Sequence, residues 1–186
     1  MARLTLVSTP LAAMTARAAQ LHGALAPLLP HEPNVLVVAN NAPIPEIVAP
    51  IHRTAAGKWL AQAWDRVVDL NAELFPCHPA AWRVADDAAP TLARAWRRAW
   101  GLGDGPLHLV IEGLGMPPGA TLAKVFADAR LTVLAEGLTG YGPTRCPVPA
   151  QVGERIETLA YLELIPALRP VLLSEHAVQL TPVPLT

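Results

Sequence analysis

The feature that most constrains this chain is an alternation: short runs of β-forming residues separated by longer, alanine-rich segments of helical period. Strands joined through helices must cross over with one hand and be covered on both faces, so the pattern predicts a parallel sheet between two helical layers. The predicted strands cover 4–8, 35–39, 66–70, 107–112 and 131–136, with a sixth at 170–173. The predicted helices cover 11–25, 44–62, 89–100, 117–127 and 152–161. Residues 71–88 lack a period and read as a loop with short turns, held down by Trp82. The fold class is therefore α/β, a Rossmann-like parallel sheet with helices on both faces, in one domain over residues 1–186. A 52% apolar composition is enough to fill such a core. The 20 prolines cluster near segment ends, at 43 and 45, 76 and 79, 117 and 118, and punctuate rather than disorder.

In an open parallel sheet the ligand crevice lies beyond the carboxyl ends of the strands. The residues to read are thus Ser8 and Thr9, Asn40 and Asn41, Asp69 and Asn71, Glu112 and Gly113, and Glu136 and Gly137. Two of these ends carry nearly the same words, LHLVIEG at 107–113 and LTVLAEG at 131–137. Each run is apolar enough for a buried strand and closes on a carboxylate followed by glycine. The offset holds one strand–helix–strand unit, so the two glutamates leave on the same edge of the sheet. A carboxylate that is partly desolvated or near another acid can titrate in the range of a general base. The glycine is expected to let the chain turn and to let a substrate approach the backbone. The two sites differ in the loop that each glutamate enters. Glu136 leads into GLTGYGPTR, a glycine-rich loop with Tyr141, Thr144 and Arg145, suited to an anionic, hydroxyl-rich ligand. Glu112 leads into GLGMPPGATLAKVF, a loop entering a helix, which favours a turn-forming or supporting role. Glu136 is therefore the catalytic candidate and Glu112 the subsidiary one.

Several chemistries find no support. STPLAAMT after the first strand is no dinucleotide-binding GxGxxG, and no P-loop motif occurs. Six histidines include no HExxH pair, so no metal is expected, and no GxSxG elbow is present. A net charge of −1 without a basic run argues against nucleic acid as a partner. Cys77 and Cys146 lie far apart, as suits a reducing compartment. No stretch reaches the length of a membrane span, although the N-terminal 20 residues share some features of an export signal. The strand-then-helix reading of that segment favours a cytoplasmic protein, including one peripheral to the inner membrane face.

The stretch VFADARLTVLAEGLTGYGPTR, together with the downstream ETLAYLELIPALRPVLLSEH, resembles the bacterial α-2,8-polysialyltransferase family, as do VVANNAPIPE and RAWGLGDGP. The resemblance spans most of the chain. It implies the N-terminal half of a GT-B glycosyltransferase, metal-independent, in which this domain binds a glycan or glycolipid acceptor and supplies the general base. CMP-sialic acid would be the donor substrate, with no cofactor. On this resemblance the acidic-acidic-Gly motif falls on Ala135-Glu136-Gly137, making Glu136 the base, with alanine at the first acidic position. Gly137, Tyr141, Thr144, Arg145, Asn40, Asn41, Ser8, Thr9 and Glu112 become acceptor-side or crevice candidates. The family's donor-binding His-Pro belongs to a C-terminal domain, and His78-Pro79 comes too early to be it. The expectation is that this chain lacks the donor half, is inactive alone, and exposes apolar surface along its strand-end edge. Two alternatives stand beside it: a non-catalytic Rossmann-like binding module, and half of another sugar-nucleotide glycosyltransferase.

Overall fold

The structure, a computed structural model, describes residues 1–165 and 167–184. It contains one seven-stranded sheet in the order β3-β2-β1-β4-β5-β6-β7, with every neighbouring pair parallel. The strands are β1 Ala2–Val7, β2 Asn34–Val38, β3 Arg66–Asp69, β4 Leu107–Ile111, β5 Arg130–Ala135, β6 Ile156–Leu162 and β7 Gln179–Val183. The helices are α1 Pro10–Leu21, α2 Ala55–Ala61, α3 Leu70–Leu74, α4 Ala89–Trp100, α5 Gly119–Val125 and α6 Ala150–Gly153. This is a Rossmann-like α/β fold. Among the described residues no helix is long and apolar enough to cross a membrane.

The core divides into two layers because successive strand residues face opposite ways. On one face Leu4, Leu6, Leu109, Ile111, Leu131 and Val133 pack beneath α4 and α5. Here Trp96 stacks on Trp100 at 4.4 Å between ring centroids, and Trp82 lies 5.3 Å from Trp96. Trp82 is 5% exposed and so pins the 71–88 segment, which otherwise holds only α3 and a single 3-10 turn. On the other face Val7, Leu36, Val38, Val110 and Leu134 meet the small alanine face of α1. β1 and β4 are buried along their whole length, which explains their unbroken apolar runs.

Helix ends obey local chemistry. Thr9 caps α1 by accepting from the Ala12 amide at 2.9 Å, with Pro10 in the first turn. α4 ends at Gly101, whose φ of +71° suits glycine. Arg155 donates to the carbonyls of Ala123, Phe126 and Ala129, satisfying the C-terminal end of α5.

Four expected elements are corrected. The predicted helix 152–161 is β6, preceded only by the four-residue α6. IETLAYL is rich in β-formers, and a short apolar run fits either period. The predicted strand 170–173 is irregular, and the last strand lies at Gln179–Val183. Pro182 hides β7 from a propensity reading, yet proline is tolerated there because β7 is an edge strand. The predicted helix 44–62 is reduced to α2, since Pro45 and Pro50 begin or precede 3-10 turns. The predicted helix 117–127 begins only after the two prolines, at Gly119.

Candidate active site

Strand order reverses at β1: β2 and β3 lie on one side, β4 to β7 on the other. The ligand crevice of such a sheet is expected beyond the carboxyl ends of β1 and β4. Ser8 and Thr9 leave β1 there, Glu112 and Gly113 leave β4, and Glu136 and Gly137 leave β5. The sheet register puts Ile111 opposite Val133, so Glu136 stands two residues further along than Glu112. At the rise of a strand this is a stagger of about 7 Å. The two repeated words in the sequence thus deliver their carboxylates to adjacent strand ends at the switch point.

Their surroundings differ. Thr9 donates its hydroxyl to Glu136 Oε2 at 2.8 Å while accepting from the Ala12 amide, so one side chain caps α1 and orients Glu136. Glu112 is largely desolvated, and its Oε2 is buried without a hydrogen-bond partner. Burial pushes its pKa up to about 7, and the charge of Glu136 pushes the same way. The hydroxyl and amide of Ser8 offset part of that rise. Glu112 therefore exchanges a proton near neutrality. It does not cap α5, whose N-cap residue is Pro118 and which has no side-chain cap bond.

Glu112 also lines a cavity of about 210 Å³, together with Thr139, Thr144, Arg145, Cys146 and Leu173. Arg145 is exposed and, among the described residues, forms no ion pair. A cavity with a proton-exchanging carboxyl on one wall and a free guanidinium on another can hold a small hydroxylated or anionic group. Neither Gly113 nor Gly137 adopts positive φ, so a sharp turn is not what these glycines provide. A Cβ at either would meet nothing within 4 Å, and the open space leaves the backbone accessible to a ligand. Ala135 is 4% exposed, and a Cβ at Gly140 would lie 2.7 Å from its own Cβ. A longer acidic side chain at 135 would have to displace Gly140, which accounts for alanine there.

The remaining expected residues scatter into other duties. Tyr141 donates its hydroxyl to the Leu162 carbonyl at 2.9 Å and accepts from the Leu164 amide at 3.0 Å. It pins the glycine-rich loop to the end of β6 instead of offering a polar contact. Thr144 donates to Glu175 Oε2 and accepts from the Leu173 amide, fixing the wall of the cavity. Asn40 spends its side chain on the carbonyls of Pro45 and Val48 and the Ala42 amide, while Asn71 bridges to its backbone. It lines a separate cavity of about 850 Å³ beyond β2 and β3, and Asn41 is exposed nearby. The structure therefore gathers Ser8, Thr9, Glu112, Gly113, Glu136 and Gly137, brings Arg145 to the adjoining cavity, and leaves Asn40 and Asn41 at the end of β2, two strands from Glu112. Cys146 and Leu173 were not foreseen; only the adjacency of Cys146 to Arg145 could have suggested the first.

Some of the exposed apolar side chains follow strand ends, while others, such as Leu21, Leu29 and Trp59, lie elsewhere. Ile44 and Ile47 come after β2, Phe75 after β3, Met116 after β4, Leu138 after β5 and Ile165 after β6, each at least 40% exposed. Among the described residues no group of three or more His, Cys, Asp or Glu is placed to hold a metal ion. Comparison of the chain with protein-family models, with curated proteins and with solved structures finds no match.

Proposed function

We propose that this chain is the acceptor-side domain of a sialyltransferase-like glycosyltransferase, with the Glu112–Glu136 pair handling the acceptor proton. The observation that carries the reading is the placement of two electrostatically coupled carboxylates on adjacent strand ends at the switch point of the sheet. The sequence resemblance supplies the reaction class and Glu136 as base. In the step envisaged, an acceptor hydroxyl loses its proton to a carboxylate while its oxygen bonds to the anomeric carbon of CMP-sialic acid. The bond from that carbon to the phosphate oxygen breaks, and CMP leaves with the electron pair, with inversion. The donor would be held by a C-terminal domain, and the exposed apolar edge suits a face that closes against one. Thr9 would hold Glu136 in place to accept the acceptor's proton, and Arg145 would meet the negative charge of a sialyl group.

Glu112 as the base is a second assignment, favoured because this carboxyl lines the cavity and is pushed by burial up to about 7. Both assignments are tested by incubating the complete gene product with CMP-sialic acid and a panel of sugar acceptors. Released CMP and sialylated product are quantified by mass spectrometry. Transfer that falls by about 10²- to 10⁴-fold in Glu136→Gln, with a smaller loss in Glu112→Gln, supports Glu136 as base. The reverse order assigns the base to Glu112. No transfer to any acceptor, or full activity in both variants, overturns the proposal.

A further inference from the structure

A cavity of about 620 Å³ lies beside α5, walled by the 83–86 segment, the 114–117 loop and part of α6. It is separate from the cavity at Glu112. Leu114 and Gly115 border both, but the wall between them is closed where Gly115 packs on Cys146, so tightly that a Cβ at Gly115 would lie 2.6 Å from the Cβ of Cys146. Three cations line the larger cavity, Arg83, Lys124 and Arg155, against one carboxylate, Asp86. Helix α5 sets their positions. One turn apart on it, Thr121 donates to the Trp82 carbonyl at 2.9 Å and Lys124 to the Val84 carbonyl at 2.6 Å, which ties the 82–84 segment to the helix with Arg83 between the two anchors. Arg155 is held by the carbonyls of Gln151, Ala123, Phe126 and Ala129. These bonds do not exhaust the donors. Arg83 donates through Nη1 alone, to the Ala80 and Trp82 carbonyls, so among the described residues its Nε and Nη2 have no acceptor. Lys124 keeps one N–H beyond those that meet Val84 and Asp86. Asp86 is 94% exposed and pairs only with Lys124, and a pair so open to water is weak. It acts as a removable counter-ion that a doubly charged group can displace.

We infer that this cavity is a binding site for a small organic phosphate, a phosphomonoester carried on an apolar or aromatic body. The dianion meets Arg83 and Lys124 in place of Asp86, and Arg155 adds a fixed positive field behind them. The body lies against Leu114, Pro117, Ala120 and Val152. A phosphate fits better than a carboxylate because it brings nearly two charges and three acceptor oxygens to a site whose cations outnumber its acids and retain unused N–H groups. A bare phosphate ion would leave most of the cavity and its apolar wall unfilled. The inference goes beyond the acceptor reading and does not depend on it, since the closed wall at Gly115 keeps this ligand apart from Glu112.

The test is titration of the protein at pH 8 with phenyl phosphate, inorganic phosphate and benzoate, followed by calorimetry and by amide chemical shifts. Phenyl phosphate should bind one to one and at least tenfold more tightly than either of the others, shifting the amides of Ala120 and Val152 more than those of Gly113 and Gly137. Arg83→Gln and Lys124→Gln should each weaken it by at least fivefold. Asp86→Asn should do the opposite, tightening it by at least threefold, because the competing carboxylate is gone while Lys124 keeps its bond to Val84. Arg83 and Asp86 are exposed, so those two variants decide the matter if Lys124→Gln does not fold. No binding of phenyl phosphate at 10 mM, equal affinity for inorganic phosphate, affinity that Arg83→Gln leaves unchanged, or no gain in Asp86→Asn overturns the inference. Retention on phosphatidylcholine vesicles containing phosphatidate, without binding of phenyl phosphate, makes the phosphate a lipid headgroup and overturns it as well. Binding of phenyl phosphate by a gene product that transfers no sialic acid upholds this site and removes only the transferase reading.

Discussion

Replacing Glu112 by glutamine should make the protein more stable above about pH 5 and leave it unchanged near pH 4. In the folded chain burial raises this carboxyl from 4.5 to about 7, so between those values the folded state binds the proton more tightly than the unfolded one. The stabilisation associated with that proton is fully present below pH 4.5 and is lost as pH rises through 7. At about 1.4 kcal/mol per pH unit the difference approaches about 3 kcal/mol at pH 8. Partial exposure of the residue reduces this to about 2 kcal/mol. Glutamine keeps the shape and the Ser8 contact while removing the charge, so it should recover that amount at pH 8, roughly half or less at pH 5, and almost none at pH 4. For a chain of this length, about 2 kcal/mol corresponds to a rise in Tm of roughly 4–8 °C. The assay is urea unfolding of both proteins from pH 4 to 8.5, monitored by tryptophan fluorescence, with Tm as a check. A Glu112→Gln variant that is neutral or less stable at pH 8, or an increment that does not fade towards pH 4, would refute the argument. Such a result would mean that the carboxylate is satisfied and structural. A stabilising substitution is the signature of a group kept for function at the expense of the fold.

The same geometry predicts further outcomes. His108 is buried, bonded to Thr132 at 2.8 Å, and held by burial and by Arg3 at a pKa of about 4. Because that value lies below the unfolded one of 6.5, its contribution to stability is complete above pH 6.5 and is lost as pH falls through 4, about 3 kcal/mol in all. His108→Gln should flatten the acid limb of the unfolding curve. Thr9→Ala removes both the α1 cap and the bond to Glu136; the cap alone should cost about 1 kcal/mol in urea unfolding. In the gene product the same change should lower kcat more than Thr9→Ser does. Gly140→Ala drives a methyl to within 2.7 Å of the Ala135 Cβ and should cost about 1–3 kcal/mol, with activity lost as the loop is displaced.

Much of this arrangement was legible in the sequence, for identifiable reasons. Four of the seven strands are buried or nearly so and rich in β-formers, so LTLVS, VLVVA and the two Glu-Gly words show themselves as strands without help from context. The glutamates were visible because each closes an apolar run and is followed by glycine, the same words twice. β6 and β7 were not legible: IETLAYL fits a helical period as well as a strand, and Pro182 disguises an edge strand whose ladder tolerates it. The surroundings of Glu112 were not legible either. Sequence displays the loop after each glutamate, whereas the depth of Glu112 below Ser8 and its wall in the cavity depend on β1 lying beside β4. Tyr141 is the converse case, a residue whose loop context suggests ligand contact but whose hydroxyl is used up by backbone groups contributed by a segment about 20 residues downstream.

The most direct measurement of the central claim, that the two strand ends form one coupled carboxylate site, is a side-chain carboxyl NMR titration of ¹³C-glutamate-labelled protein. It compares the wild type with Glu136→Gln. Glu112 should titrate near 7 in the wild type and move down in the variant, since a neighbouring charge is removed, while staying above the ordinary carboxylate range because burial is the larger cause. Titration of Glu112 in the ordinary range in the wild type, or a value that does not respond to Glu136→Gln, would show two independent carboxylates and contradict the account.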